Sequence, residues 1–171
     1  MINGVPMPRG GPTSTRRPSP GARLAGALLA AALTAGGTSP GGAQSPCAPT
    51  RPDAEGPFYT PDAPTRASTG RGLVVSGTVR SARGCGPLPA ARLEWWSADP
   101  RGRYDDAHRA TQVADPTGRY RYETDFPGRY PGRPPHLHVR VTAPGHRPLV
   151  TQLYPSAGQP AIEVDFVLNP D

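Results

Sequence analysis

Lysine is absent from this 171-residue chain, and its 19 basic residues are all arginine. That usage resembles a high-GC genome more than it points to a function. Cysteine is nearly absent, with only Cys47 and Cys85 present. Neither has partners at metal-ligand spacing, which speaks against a cysteine zinc site. One disulfide or two free thiols remain. Long apolar runs are missing too. The longest, Leu24 to Leu33, has about ten residues, too short to span a bilayer. Helical periodicity is lacking after residue 46, where 25 prolines and 21 glycines in the whole chain leave little uninterrupted sequence. The formal charge of +6 is mostly local. Residues 1–45 hold Arg9, Arg16, Arg17 and Arg23 and no acid, so the remainder carries 15 basic against 13 acidic residues. That near balance argues against nucleic acid as a partner.

The leader has its own pattern. A basic stretch runs to Arg23, the apolar stretch follows, and small residues lead to Ala43-Gln44-Ser45. This order predicts an export signal over residues 1–45 and a secreted or extracytoplasmic mature domain over 46–171, with no membrane in the mature form. Arg16-Arg17 suggests a twin-arginine route, although Pro18 and Ser19 stand where a fuller motif is apolar. The competing reading is a disordered leader rich in alanine, glycine and proline.

Short β-rich runs fill the rest. Leu73–Val79, Arg92–Ser97, Tyr120–Thr124, His136–Val141, Leu149–Leu153 and Ile162–Leu168 are the predicted strands. Turn signals such as Asp115-Pro116-Thr117-Gly118 separate them. The expected fold class is all-β, a single β-sandwich domain with long active-site loops. A small β-barrel is the structural alternative. The core is modest for this length, so a disulfide, a metal or a homodimer would each add stability.

His136 and His138 are two of only four histidines. Two apart on a strand, they face the same side and can reach one ion. Tyr130 lies in a glycine- and proline-shaped turn just upstream, and Tyr104 follows the Trp95-Trp96 strand. Two solvent-facing histidines and two rim tyrosines are the bland reading of the same residues. A zinc site would more often add cysteine or a carboxylate. An Fe(II) facial triad needs an acid, for which only Asp99, Asp105 and Asp106 are distant candidates.

Several blocks resemble the intradiol ring-cleavage dioxygenases, the family of the catechol, protocatechuate and hydroxyquinol dioxygenases. Glu94 through Tyr104 resembles their first ligand segment. Pro127 through His138 resembles the second. Ala54-Glu55-Gly56-Pro57-Phe58-Tyr59, Thr151-Gln152-Leu153-Tyr154 and Glu163 through Leu168 resemble three further blocks, in order across 47–168. The resemblance implies a ferric ion, Fe(3+), held by Tyr104, Tyr130, His136 and His138. Tyr104 and His136 would be equatorial with a hydroxide, and Tyr130 and His138 axial. It implies a small aromatic diol and O2 as substrates, with cleavage between the hydroxylated carbons to a muconate-type diacid. It also implies that Tyr130 is released to take up a substrate proton, that Arg133 stabilises carbanion character on the ring, and that Gln152 helps orient substrate.

The chain departs from the family in places. Ser97 stands where the family often has histidine, and the sequence is expected to do without the helical N-terminal domain of the catechol enzymes. The segment from Tyr154 to Ile162 is short. Thr60–Arg71 and Ala107–Val113 are candidate ring-contacting loops. Arg103, Arg109 or Arg129 could bind a ring carboxylate, whereas Phe58 and Tyr59 suit plain catechols. The competing class is a non-catalytic secreted β-sandwich module that binds carbohydrate or protein on Trp95, Trp96, Tyr120 and Tyr122. Adjacent strand residues face opposite ways, which weakens that aromatic face.

Overall fold

The computed structural model describes residues 47–171, so the expectation of an export signal over 1–45, with its Arg16-Arg17 pair, lies outside the described residues. Among the described residues eight strands form: β1 (Gly72–Ser81), β2 (Arg92–Ala98), β3 (Tyr104–Val113), β4 (Arg119–Asp125), β5 (Leu137–Thr142), β6 (Leu149–Leu153), β7 (Ala161–Glu163) and β8 (Phe166–Leu168). One sheet has the order β4-β1-β7, with β8 also on β1, and the other β3-β2-β5-β6. This all-β, two-sheet architecture agrees with the expected sandwich.

Alternation builds the core. Leu73, Val75 and Val79 of β1 turn inward, as do Leu93 and Trp95 of β2, Tyr120 and Tyr122 of β4, Val139 and Val141 of β5, and Phe166 and Leu168 of β8. Trp95 stacks on Tyr122 with centroids 4.7 Å apart, and its indole donates to Gln112 Oε1 at 3.1 Å. Truncating such a tryptophan typically costs roughly 3–5 kcal/mol. Trp96 faces the opposite side, and both tyrosines are buried. The aromatic ligand face therefore does not exist as a surface.

Two segments differ from expectation. The predicted strand Ile162–Leu168 is broken at Val164 and Asp165, and its halves pair parallel with β1 separately. Gly77 permits this, because a Cβ there would lie 1.8 Å from the Val164 carbonyl oxygen. Asp165 then accepts from the Thr78 amide at 2.8 Å and Arg80 Nε at 2.6 Å. Ala107–Val113, read as a loop, belongs to β3. Within Thr60–Arg71, Thr65 bridges to Thr111 and Ser68 to Glu123, so that segment is tied to strands rather than to the histidines.

Cys47 and Cys85 form a disulfide with an S–S distance of 2.04 Å, which removes the free-thiol alternative. It fixes the start of a strap, residues 50–66, that crosses the outer face of the second sheet. The Asp53 amide donates to Val150 O at 2.9 Å, and Thr151 Oγ1 donates to Arg51 O at 3.0 Å. Further along, the Thr111 amide donates to Pro64 O at 2.9 Å. Under the strap lie the outward residues of β2 and β5, among them Glu94, Trp96 and His138. Their neighbours Leu93, Trp95 and Leu137 face the core.

Candidate metal centre

The site forms between this outer face and the strap. His138 lies on β5, directly across from Trp96 on β2 and Gln152 on β6. His136 sits just before β5 on the same side. Tyr104 opens β3 after a register shift between Trp96 and Ala98, which brings it opposite Ala98. Tyr130 comes from the segment between β4 and β5.

All four side chains predicted from the sequence converge. Tyr104 Oη lies 3.1 Å from His136 Nε2. The two imidazole centroids are 4.8 Å apart and the two phenol centroids 5.8 Å. His136 Nδ1 donates to Pro134 O at 2.7 Å, which leaves an Nε2 lone pair facing Tyr104. His138 is stacked on Trp96 at 4.9 Å, and its Nδ1 is buried with no hydrogen-bond partner among the described residues. Burial, followed by the neighbouring His136 and Arg133, pushes His138 down to about 4, so its ring is neutral with a lone pair to give. Burial raises the Tyr104 phenol, opposed by Arg133, and a bound cation would favour its phenolate.

This donor set fits hard ferric iron: two oxygen anions on deprotonation and two neutral imidazoles. It fits other metals poorly. No group of three or more His, Cys, Asp and Glu able to hold a metal exists among the described residues. The acids considered for an Fe(II) triad are engaged elsewhere. Asp99 binds Arg103 at 2.9 Å, Asp105 binds His108 at 2.8 Å, and Asp106 binds Arg109 at 3.2 Å.

Arg133 and Gln152 join the same cluster. Arg133 Nη2 donates to Gln152 Oε1 at 2.7 Å and to Tyr154 Oη at 3.1 Å. Gln152 Nε2 donates to Ala54 O at 2.6 Å. Gln152 is buried, its Oε1 accepts from Arg133, and one of its two amide N–H groups is given to Ala54 O. It thereby ties Arg133 to the strap.

Several contacts here are not foreseen from the sequence, although it marks Phe58 as an apolar residue suited to plain catechols. Phe58 stacks on Tyr104 with centroids 4.1 Å apart and meets Tyr130 edge-on at 5.4 Å. Gly56 lies so close to His138 that a Cβ would sit 3.2 Å from its ring. Both belong to the Gly56-Pro57-Phe58 motif, which could have flagged them. Asp99 O accepts from the amides of Gly102 at 2.9 Å and Gly128 at 3.0 Å, tying together the two tyrosine-bearing loops. No local pattern announces that contact.

His108 bridges the sheets behind the site. Its Nδ1 lies 2.8 Å from Asp105 and its Nε2 3.2 Å from Asp125. Burial opposes the charged ring, but hydrogen bonds and attraction from the two carboxylates outweigh it and raise the imidazole above 6.5. Its stabilisation is complete below the unfolded value and is lost as pH rises through the raised folded value. Melting temperatures of the wild type should therefore fall through this window above roughly pH 6.5. His108→Phe should flatten that dependence, and an unchanged slope in the variant would acquit His108.

No family model matches the chain. It is 35% identical over 141 residues to a hydroxyquinol 1,2-dioxygenase of Rhodococcus opacus, covering 63% of this chain and 46% of that protein. It is 31% identical over 150 residues to a catechol 1,2-dioxygenase of Acinetobacter baylyi, covering 66% of this chain and 48% of that one. The chain thus spans about half the length of the curated relatives it matches. Among solved structures, the dioxygenase domain of a dioxygenase carbohydrate-binding fusion from Streptomyces sp. SirexAA-E is 36% identical with a TM-score of 0.66. That match covers 72% of this chain and 100% of the domain. The expectation of secretion, by a twin-arginine route or otherwise, is overturned: the homologous enzymes are characteristically cytoplasmic catabolic proteins. An arginine pair before about ten apolar residues is a pattern that an arginine- and alanine-rich composition produces without a signal.

Proposed function

Because the chain belongs to the intradiol ring-cleavage dioxygenase family, we propose that residues 46–171 form a non-haem Fe(III)-dependent catalytic domain that cleaves a catechol-type diol with O2. The observation that carries this reading is the convergence of two half-buried phenols and two buried imidazoles, with the His136 tautomer fixed. Tyr104, Tyr130, His136 and His138 would hold the ion. Bound there, ferric iron supplies a Lewis-acidic template that makes a chelated diol reactive toward dioxygen, both of whose atoms end in the muconate-type diacid.

The residues divide the remaining work. Tyr130 is half-buried on an exposed turn and in contact with Phe58, where its phenolate can take a hydroxyl proton from the diol. Arg133 presents a charge that never titrates, aimed by Gln152 and Tyr154, and steadies negative charge developing on the ring. Phe58 and Gly56 close the strap side and keep water from the ligands. The segments Asp99–Tyr104 and Phe126–His136 are the active-site loops.

Arginine pairing bears on the substrate. Arg103 is committed to Asp99, and Arg109 to Asp106 and the Phe58 carbonyl. Two of the three candidate carboxylate anchors are therefore engaged, and Phe58 lends an apolar wall. A plain or hydroxylated catechol suits this pocket better than a ring bearing a carboxylate.

Ferric reconstitution tests the whole reading. The protein should take up one iron and develop a visible tyrosinate charge-transfer band. Oxygen uptake should follow with catechol or hydroxyquinol and be weaker with protocatechuate. A colourless protein without iron would sink the proposal.

A further inference from the structure

Among the described residues, Arg133 has no carboxylate partner of its own. Its guanidinium reaches Tyr154 Oη at 3.1 Å, and Tyr154 Oη reaches Asp53 Oδ2 at 3.1 Å. We propose that Tyr154 and Asp53 are a positioning pair for Arg133, in which a neutral phenol stands between an acid on the strap and the cation beside the metal centre. The inference rests on the reading of Arg133 as the residue that meets the ring.

The chemistry explains the spacer. An aspartate bound directly to Arg133 would fix it but cancel its field at the ring. A phenol conveys the orientation without the charge. Tyr154 Oη has one proton and faces two acceptors, Asp53 Oδ2 at 3.1 Å and Gln152 Oε1 at 2.9 Å. The carboxylate is the stronger acceptor. Gln152 Oε1 is then left to accept from Arg133 at 2.7 Å. With the phenol proton committed to Asp53, the Tyr154 oxygen lone pairs face Arg133. Two routes thus tie the guanidinium to the strap: through Gln152 to Ala54, and through Tyr154 to Asp53.

The placement argues for a role at the site and not only in folding. Tyr154 is 47% exposed, so its ring contributes little to the core. Its centroid nevertheless lies 6.0 Å from that of His136. An exposed tyrosine with three polar partners beside a ligand candidate is held for its hydroxyl.

The test is Tyr154→Phe, which keeps the ring, alongside Asp53→Asn, which keeps an acceptor but removes the charge. In iron-loaded protein, Tyr154→Phe should lower kcat about tenfold, as loss of one charge-assisted contact does. Iron content, the charge-transfer band and the melting temperature should stay at wild-type values. Asp53→Asn should fall between, and the double variant should be no worse than Tyr154→Phe alone. A second readout needs no iron. In metal-free protein, solvent exchange of the Arg133 Nε proton, followed by NMR, should speed up several-fold in Tyr154→Phe. Wild-type kcat with wild-type exchange would overturn the inference, as would additive losses in the double variant. Wild-type protein that binds no iron would instead defeat the functional reading, and the exchange measurement would still decide this one.

Discussion

Tyr130→Phe should leave a folded protein that has lost most of its colour and nearly all of its turnover. The substitution removes one oxygen and keeps the ring. Contacts with Phe58 at 5.4 Å and with Tyr104 at 5.8 Å between centroids are retained, so the melting temperature should barely move. What disappears is one of two phenolate donors, together with the group placed to take a diol proton. Removing a positioned proton acceptor typically costs on the order of 10²–10⁴-fold in rate. The visible band should weaken or shift because only Tyr104 remains to give charge-transfer intensity. Absorption spectra and oxygen uptake on the same sample check both halves. An unchanged spectrum would remove Tyr130 from the centre.

The second large effect is mechanical. Gly102→Ala or Gly128→Ala should prise apart the loops that carry the two tyrosines. A Cβ on Gly128 would lie 2.5 Å from both Gly102 N and Pro100 O, and one on Gly102 would lie 2.2 Å from Arg129 O. These are backbone atoms, so no side chain can swing away. Overpacking of this kind costs roughly 1–3 kcal/mol. At Gly102, where φ is +81°, a left-handed penalty of roughly 1–2 kcal/mol is added. Gly132 is the internal control. Its φ is +77°, but nothing lies within 4 Å of its missing Cβ. Gly132→Ala should therefore show the backbone penalty alone. Urea unfolding separates the two costs, and iron stoichiometry should fall for Gly102→Ala and Gly128→Ala but not for Gly132→Ala.

Much of this molecule was legible in the chain because its signals are local. Alternation in Leu73–Val79 and His136–Val141 marks strands whatever lies beside them, and the spacing of His136 and His138 fixes a common face. Tyr104 and Tyr130 were found through the motif blocks around them. What stayed hidden depends on distant partners. β3 begins with Tyr104-Asp105-Asp106, three residues that do not alternate, and its strand character comes from pairing with β2. The break at Val164 is set by Gly77, far away in sequence. Phe58 is marked as an apolar residue for the ring, but its stacking on Tyr104 shows only once the strap is in place. The tie from Gln152 to Arg133 and Ala54 stayed hidden as well, because a motif shows which residue is present, not what its amide meets.

Placing the chemistry on the outside of the sandwich, under a strap, separates two design problems. The strap is tied by its own hydrogen bonds, from Asp53 to Val150 and from Pro64 to Thr111, and by the disulfide at Cys47. None of these ties draws on the packing of Trp95, Tyr122 and Phe166. Residues 50–66 therefore behave as an exchangeable part. Grafting in another relative's strap, while leaving the β2 and β5 residues in place, offers a way to retune which ring is accepted at little risk to folding.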